Sequence, residues 1–339
     1  MNASAQFLSP SEAARRLGVS AKALRLYEQR GLVVPVRTGA GWRAYGPPEM
    51  ARASEIAALR ALGLSLAQVA RVLDGDAQAL EPALAAHQSA LESEIGRLTE
   101  TISRIRGIRA GLAEGRPPEA GALASLLGSG AGMSVAFDLP WPWGGERFEL
   151  SGIKPLTYII GPLGSGKTRL AQRLAETLAG AAFLGLERWA DPAALDADPV
   201  LNARVEAALA WLIEDGARPS EALTALLMGL EAERPAVLVV DMLEQGLDQA
   251  TQEAVIAQLR RRGPSARPLI CLTRSSAILD LAAVGPDEAI ILCPANHSPP
   301  TLVAPFPGAP GYEAVATCLA TPQVRARTEG VLAWRPEVA

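Results

Sequence analysis

The stretch Gly161-Pro162-Leu163-Gly164-Ser165-Gly166-Lys167-Thr168 has the residue types and spacing needed to hold phosphate. Two glycines bracket four residues and are followed at once by a lysine and a hydroxyl, which is a complete P-loop pattern. Gly161, Gly164 and Gly166 let backbone N–H groups turn inward, with Ser165 between the last two, and a helix beginning at this point favours negative charge. Lys167 would neutralise β- and γ-phosphate oxygens, and Thr168 would ligate Mg²⁺. Ordinary residue frequencies place four fixed residues at this spacing by chance at roughly one position in 30,000. The match is therefore specific. Further along, the apolar run Ala236-Val237-Leu238-Val239-Val240 ends in Asp241, the geometry of a Walker B strand whose acid holds Mg²⁺ through water. The implied cofactors are ATP and Mg²⁺, although no base-reading motif separates ATP from GTP. Trp141 and Trp143, early in the same region, are either base-stacking residues or core and lid residues.

The run Asp241-Met242-Leu243-Glu244-Gln245-Gly246-Leu247-Asp248 resembles the segment that follows Walker B in ABC-type, SMC-like and OLD-like ATPases. Leu272-Thr273-Arg274-Ser275-Ser276-Ala277-Ile278-Leu279 is similar to their switch segment, with Arg274 where a histidine is expected. The resemblance implies a compact ABC-like head without a coiled-coil insertion. It also marks departures. Met242 stands where the glutamate that polarises attacking water is expected, and the Ser-Gly-Gly signature is absent. Pro219-Ser220-Glu221-Ala222-Leu223 occupies the place of that signature, with Ser220 as its candidate. Two residues remain open to two readings: Glu244 is a displaced catalytic acid or a structural one, and Arg274 is a fixed charge for the γ-phosphate or a surface arginine. Whether ATP is hydrolysed stays open, and a slow ATPase is the enzyme the residues allow.

These groups must be delivered by strands and helices. Short apolar runs at Leu156 to Ile160, Ala181 to Leu186, Ala236 to Val240, Leu269 to Thr273 and Ala289 to Leu292 alternate with helical patterns. That alternation predicts an α/β P-loop NTPase domain with a largely parallel sheet, beginning near Met133.

The front of the chain differs in charge and pattern. Residues 1–73 carry ten Lys/Arg against four Asp/Glu, while the chain as a whole has a net charge of -4. A basic module ahead of an acidic body suits contact with a phosphate backbone. Ser11 to Leu17 reads as a short helix, and after Gly18-Val19 a second helix opens at Ser20, a good N-cap. Val33 to Tyr45 is an extended stretch with Gly39 and Gly41 at a hairpin tip. Pro47-Pro48-Glu49 begins another helix. Two further short helices are broken at Gly63.

Gly18-Val19-Ser20, Leu24-Arg25-Leu26-Tyr27-Glu28, Gly31-Leu32, Trp42-Arg43-Ala44-Tyr45 and Leu62-Gly63-Leu64-Ser65-Leu66 together resemble the MerR family of transcription regulators. The resemblance implies a winged helix-turn-helix that binds double-stranded promoter DNA as a homodimer, distorts it, and acts with RNA polymerase. The helix from Ser20 would enter a major groove, with Ser20 itself among the DNA-binding residues, and direct Lys22, Arg25 and Tyr27 at bases or phosphates. Arg15 and Arg16 would lie near the backbone, and Arg37 and Arg43 in the wing would clamp phosphates. Tyr45 would brace the fold or add a hydroxyl contact. Leu26 and Trp42 replace residues usual in the family, an aromatic and the wing tyrosine.

Leu80, Leu84, His87, Leu91, Ile95, Leu98, Ile102, Ile105, Ile108 and Leu112 recur almost throughout at intervals of three or four, a coiled-coil seam with one histidine. The expected organisation is a winged helix-turn-helix over 1–75, an antiparallel dimerisation helix over 76–113, a flexible linker over 114–132 and an ABC-like nucleotide-binding domain over 133–339. Cys271, Cys293 and Cys318 are far apart in apolar runs and read as buried thiols, and with only His87 and His297 a zinc cluster or catalytic histidine has little to be built from. No apolar run approaches the roughly 20 residues needed to span a bilayer, so no membrane partner and a cytoplasmic location are expected. The functional expectation is a DNA-binding regulator switched by ATP and Mg²⁺. The alternative is an ATPase or kinase, possibly of a defence system, that the front module localises or autoregulates.

Overall fold

The computed structural model describes residues 7–116, 133–188, 190, 192–263, 266–321 and 324. The chain divides into two compact units, Met1–Met133 and Ser134–Ala339. Most of the expected linker, residues 117–132, lies outside the described residues.

The first unit is built on capped helices. Ser9 and Glu12 form a capping box for α1 (Pro10–Leu17), and Gly18, at φ 68°, ends that helix in the left-handed conformation that glycine adopts at little cost. The Ser20 hydroxyl accepts the Ala23 N–H at 3.0 Å and starts α2 (Ala21–Gln29), so the turn between the two helices is set by residues three apart or fewer. The wing is an antiparallel pair, β1 (Val36–Arg37) and β2 (Arg43–Ala44), with Val36 opposite Ala44. A bridge from Leu8 to Tyr45 ties the wing base to the start of the chain. Helices α3 (Pro47–Ala61) and α4 (Leu66–Leu73) close a core that includes Leu24, Tyr27, Tyr45, Ile56, Leu64 and Val69.

Helix α5 (Leu80–Ala113) then runs for 34 residues, about 50 Å at 1.5 Å per residue. Leu80 and Ala83 pack against the winged core. Beyond them the seam is bare, since Leu84, Leu91, Ile95, Leu98, Ile102, Ile105 and Leu112 are 39–62% exposed. An apolar stripe of this length with water on it is costly unless another surface covers it.

The second unit opens with a hairpin, β3 (Val135–Asp138) paired antiparallel to β4 (Arg147–Leu150), which the apolar pattern did not predict. The main sheet has six strands in the order β10, β9, β5, β8, β7, β6. Those strands are β5 (Leu156–Ile160), β6 (Ala181–Leu184), β7 (Val237–Val240), β8 (Leu269–Leu272), β9 (Glu288–Leu292) and β10 (Thr301–Val303). All pairs are parallel except β10 with β9, so the expected largely parallel sheet is present with one antiparallel edge strand. Strands β5, β7 and β8 are buried at every residue, as their unbroken apolar runs require of a sheet covered on both faces. The covering helices include α6 (Lys167–Thr177), α7 (Pro192–Ala197), α8 (Pro199–Glu214), α9 (Glu221–Glu231), α10 (Gln249–Arg261) and α11 (Tyr312–Cys318). The order of the strands matters for function. It places β8 between β5 and β7, so the loops leaving the carboxyl ends of all three emerge along one edge, where open α/β sheets bind ligands.

Candidate nucleotide site and nucleic-acid interface

Three loops meet at that edge. The first joins β5 to α6 and has Gly164 at φ 79° and Gly166 at φ 88°, both in the left-handed region. Close approach also demands glycine at position 161, where a Cβ would lie 2.3 Å from the Cys293 carbonyl oxygen. Lys167 donates from Nζ to the carbonyls of Gly161 at 2.8 Å and Pro162 at 2.6 Å, which holds its ammonium over the mouth of the loop. Burial lowers the Lys167 pKa, Arg274 adds repulsion, and Asp241 works in the opposite direction. An anion bound here would relieve both penalties.

The second loop follows β7. Thr168 donates from Oγ1 to Asp241 Oδ2 at 3.0 Å, so the two residues expected to hold Mg²⁺ are brought together from positions 73 apart. Hydroxyl and carboxylate are oxygen donors of the kind Mg²⁺ takes with retained water. Met242 follows at φ 46° and lines the cavity beside them. The third loop follows β8. It presents Arg274 with its N–H donated to Glu244 Oε1 at 2.9 Å and its carbonyl accepting the Ala320 N–H at 2.9 Å. Together the loops border a cavity of about 400 Å³ lined by Gly164, Ser165, Gly166, Lys167, Thr168, Asp241 and Arg274 among others. Small-ligand sites fall in this size range.

The two open residues touch but differ in what surrounds their side chains. Arg274 lines the cavity with Lys167, whereas Glu244 is 2% exposed and spends a carboxylate oxygen on the Arg274 backbone. Next to Arg274 in the chain, Ser275 starts a buried polar chain, its Oγ donating to Gln252 Oε1 at 2.6 Å and Gln252 Nε2 to the Leu247 carbonyl at 2.7 Å. The Ser220 hydroxyl accepts the Leu223 N–H at 3.2 Å and caps α9.

The tryptophans also take different places. Trp143 is buried, donates from Nε1 to the Ser298 carbonyl at 3.1 Å, and lies on the P-loop so closely that a Cβ at Gly166 would sit 2.5 Å from its ring. Trp141, 78% exposed, stands at the cavity wall with Pro142 and Leu163. Sequence reasoning missed two residues of this region. His297, at φ 58°, places Nε2 3.0 Å from the Gly164 carbonyl, and Arg188, just past β6, grips the loop after Asp241. Neither sits in a local pattern.

Replacing Gly166 by alanine is expected to impose left-handed strain of about 1–2 kcal/mol on a side-chain-bearing residue and to drive its Cβ into Trp143. A melting temperature lowered by several degrees, read by circular dichroism, should accompany weakened nucleotide binding. Wild-type values for both would refute this account of the loop.

On the winged module, Arg15, Arg16, Arg25 and Arg37 are exposed, and Lys22 is half-buried. Arg37 donates from Nη1 to the Gly41 carbonyl at 2.9 Å and so shapes the wing tip. Arg43 is paired to Glu28 at 2.6 Å, and the Tyr45 hydroxyl donates to the same carboxylate. The structure corrects the expectation for Tyr27 and agrees with one of the two readings of Tyr45. Tyr27, at 4% exposed, and Tyr45, at 0%, belong to the core, where they share one cluster with Leu24, Ile56, Leu64 and Val69. Tyr45 is therefore a brace. Trp42 is exposed on the wing.

Comparison with known proteins covers both units. Residues 8–76 match the profile of MerR HTH family regulatory proteins, and residues 148–272 that of the AAA ATPase domain. A probable heavy metal-dependent transcriptional regulator of Haemophilus influenzae is 32% identical over 103 residues, 28% of this chain and 80% of that protein. The transcriptional regulator BrlR of Pseudomonas aeruginosa is 36% identical over 115 residues, covering 32% and 43% of the two chains. Nodulation protein NolA of a Bradyrhizobium strain is 35% identical over 98 residues, covering 29% and 41%. The chain thus spans about two-fifths of the length of the last two. Among the described residues, no group of three or more His, Cys, Asp or Glu is placed to hold a metal ion, and no helix is long and apolar enough to cross a membrane. With the winged module, its profile match and the Haemophilus relative in agreement, the chain belongs to the MerR family of regulatory proteins, and its second unit is a P-loop ATPase domain.

Proposed function

We propose that the protein is a dimeric, DNA-binding transcription regulator of the cytoplasm whose C-terminal domain binds ATP and Mg²⁺ as the signal. The observation that carries this reading is the convergence of a phosphate-binding lysine and two Mg²⁺-type oxygen donors on one cavity. Lys167, Thr168 and Asp241 converge on one cavity, while Met242 lines the cavity beside Asp241 and Glu244, two residues further along, is 2% exposed with one carboxylate oxygen on the Arg274 N–H. Such a site suits holding nucleotide more than turning it over. Arg274 supplies a second fixed cation for the phosphates, and Trp141 offers a face on which the base can stack.

At the front, Arg15, Arg16, Lys22, Arg25 and Arg37 reach the DNA, Arg43 adding to the wing. The bare seam of α5 pairs with that of a second copy. The dimer distorts promoter DNA for RNA polymerase, and nucleotide-dependent pairing of the two ABC-like heads biases one of two DNA-bound geometries. Linkage demands only that ATP bind one geometry better.

The test is DNA binding to the gene's own upstream region, with and without ATP and Mg²⁺, while phosphate release is followed. A nucleotide effect on affinity or DNA shape with little phosphate released is expected. Unchanged DNA binding alongside many turnovers per minute would replace this reading with an ATPase carrying a DNA address.

A further inference from the structure

Asp241 can meet Thr168 only if the loop after β7 holds its shape, and that loop is unusual. Met242 is one of two side-chain-bearing residues at positive φ among the described residues, the other being His297. A β-strand followed two residues later by a left-handed, non-glycine residue needs restraint from outside, because such a conformation is costly and relaxes when released.

The restraint comes from the end of β6. The Leu184 carbonyl accepts the Asp241 N–H at 2.8 Å. Four residues later the Arg188 guanidinium donates from Nη1 to the Asp241 carbonyl at 2.9 Å, and from Nη2 to those of Met242 at 2.9 Å and Leu243 at 3.4 Å. One planar fork thus reaches three consecutive carbonyls across the strained residue, which a lysine, with a compact ammonium, cannot reproduce. Burial lowers the Arg188 pKa, while the carboxylates of Glu244 and then Asp241 hold it up.

We propose that Arg188 is a positioning residue of the nucleotide site, holding residues 241–243 so that the Asp241 carboxylate stays at Thr168 and can take Mg²⁺. The inference rests on reading this site as one for Mg²⁺ and nucleotide. It assigns Arg188 no contact with the nucleotide. Its effect is on the metal, through Asp241, so the phosphate grip of Lys167 and the P-loop amides survives its loss.

The measurement is the affinity of the full-length protein for a fluorescent ATP analogue, titrated with and without Mg²⁺, for wild type, Arg188→Ala and Arg188→Lys. The enhancement of binding by Mg²⁺ is expected to fall about tenfold in Arg188→Ala, in keeping with release of one left-handed residue. Affinity without Mg²⁺ should stay within about threefold, since the P-loop contacts are kept. Arg188→Lys should lie between. In an Asp241→Asn background, Arg188→Ala should remove no further Mg²⁺ enhancement, because both act through one carboxylate.

A wild-type Mg²⁺ response in Arg188→Ala would overturn the proposal, as would equal losses with and without the metal, which mark a merely structural arginine. Should Arg188→Ala fail to fold, Arg188→Lys decides on the same two criteria. If the wild-type protein itself binds the analogue no better with Mg²⁺, the reading of the site fails and the inference with it, an outcome distinguishable from wild-type behaviour of the variants.

Discussion

Lys167→Ala is expected to weaken ATP binding by about a hundredfold or more, as the loss of one or two charge-assisted hydrogen bonds of about 1.5–3 kcal/mol each would require. Lys167 is the group whose donors already point into the P-loop mouth, at 2.8 and 2.6 Å from the Gly161 and Pro162 carbonyls. The fold should tolerate the change. Burial of this ammonium is unfavourable, so removing it forfeits its hydrogen bonds to Gly161, Pro162 and Ser165 but also a desolvation penalty. Titration with a fluorescent ATP analogue, paired with thermal melting, separates lost binding from lost structure. In the DNA-binding assay the same variant should keep the affinity of the nucleotide-free protein and lose any response to ATP. Retention of wild-type ATP affinity would mean that the nucleotide binds elsewhere.

The second large effect concerns the α5 seam. Ile95 is 62% and Leu98 52% exposed, and covering an aliphatic side chain fully is worth about 1.5–3 kcal/mol. In a two-fold interface each residue counts twice. Ile95→Glu combined with Leu98→Glu would place four carboxylates in an apolar seam, so the double variant is expected to be monomeric at micromolar concentration. Its affinity for a two-half-site operator should fall by about 10²–10⁴, the advantage that joining two binding modules supplies. Light scattering coupled to size exclusion reads the mass, and a gel shift reads the DNA complex. A variant that stays dimeric would show that another surface pairs the copies. A monomer with full operator affinity would show that pairing is irrelevant to DNA recognition.

Much of this protein was legible along the chain because the physics involved is local. The P-loop needs eight consecutive residues, and the turn between α1 and α2 needs Gly18 at φ 68° and the Ser20 cap. The buried strands announced themselves as apolar runs, and the α5 seam as a repeat of three and four. In each of these the interacting groups lie within a few residues of one another, so composition and spacing carry the information.

What only the tertiary structure decided are contacts made across the sheet. The order β5, β8, β7 sets Asp241 against Thr168 and carries Arg274 to the same cavity, which no spacing between those residues encodes. Trp143 reaches the Ser298 carbonyl from 155 residues away, and Arg188 reaches the Asp241 carbonyl from 53. The burial of Glu244 and its bond to the Arg274 N–H, 30 residues away, are likewise invisible in the spacing. Tyr27, on the recognition helix itself, looked available to DNA because periodicity gives a helix two faces without saying what packs on either. The reason is common to all of these. Local sequence selects backbone conformation, but which side chain meets which is settled by strand order and by the surface another element happens to cover.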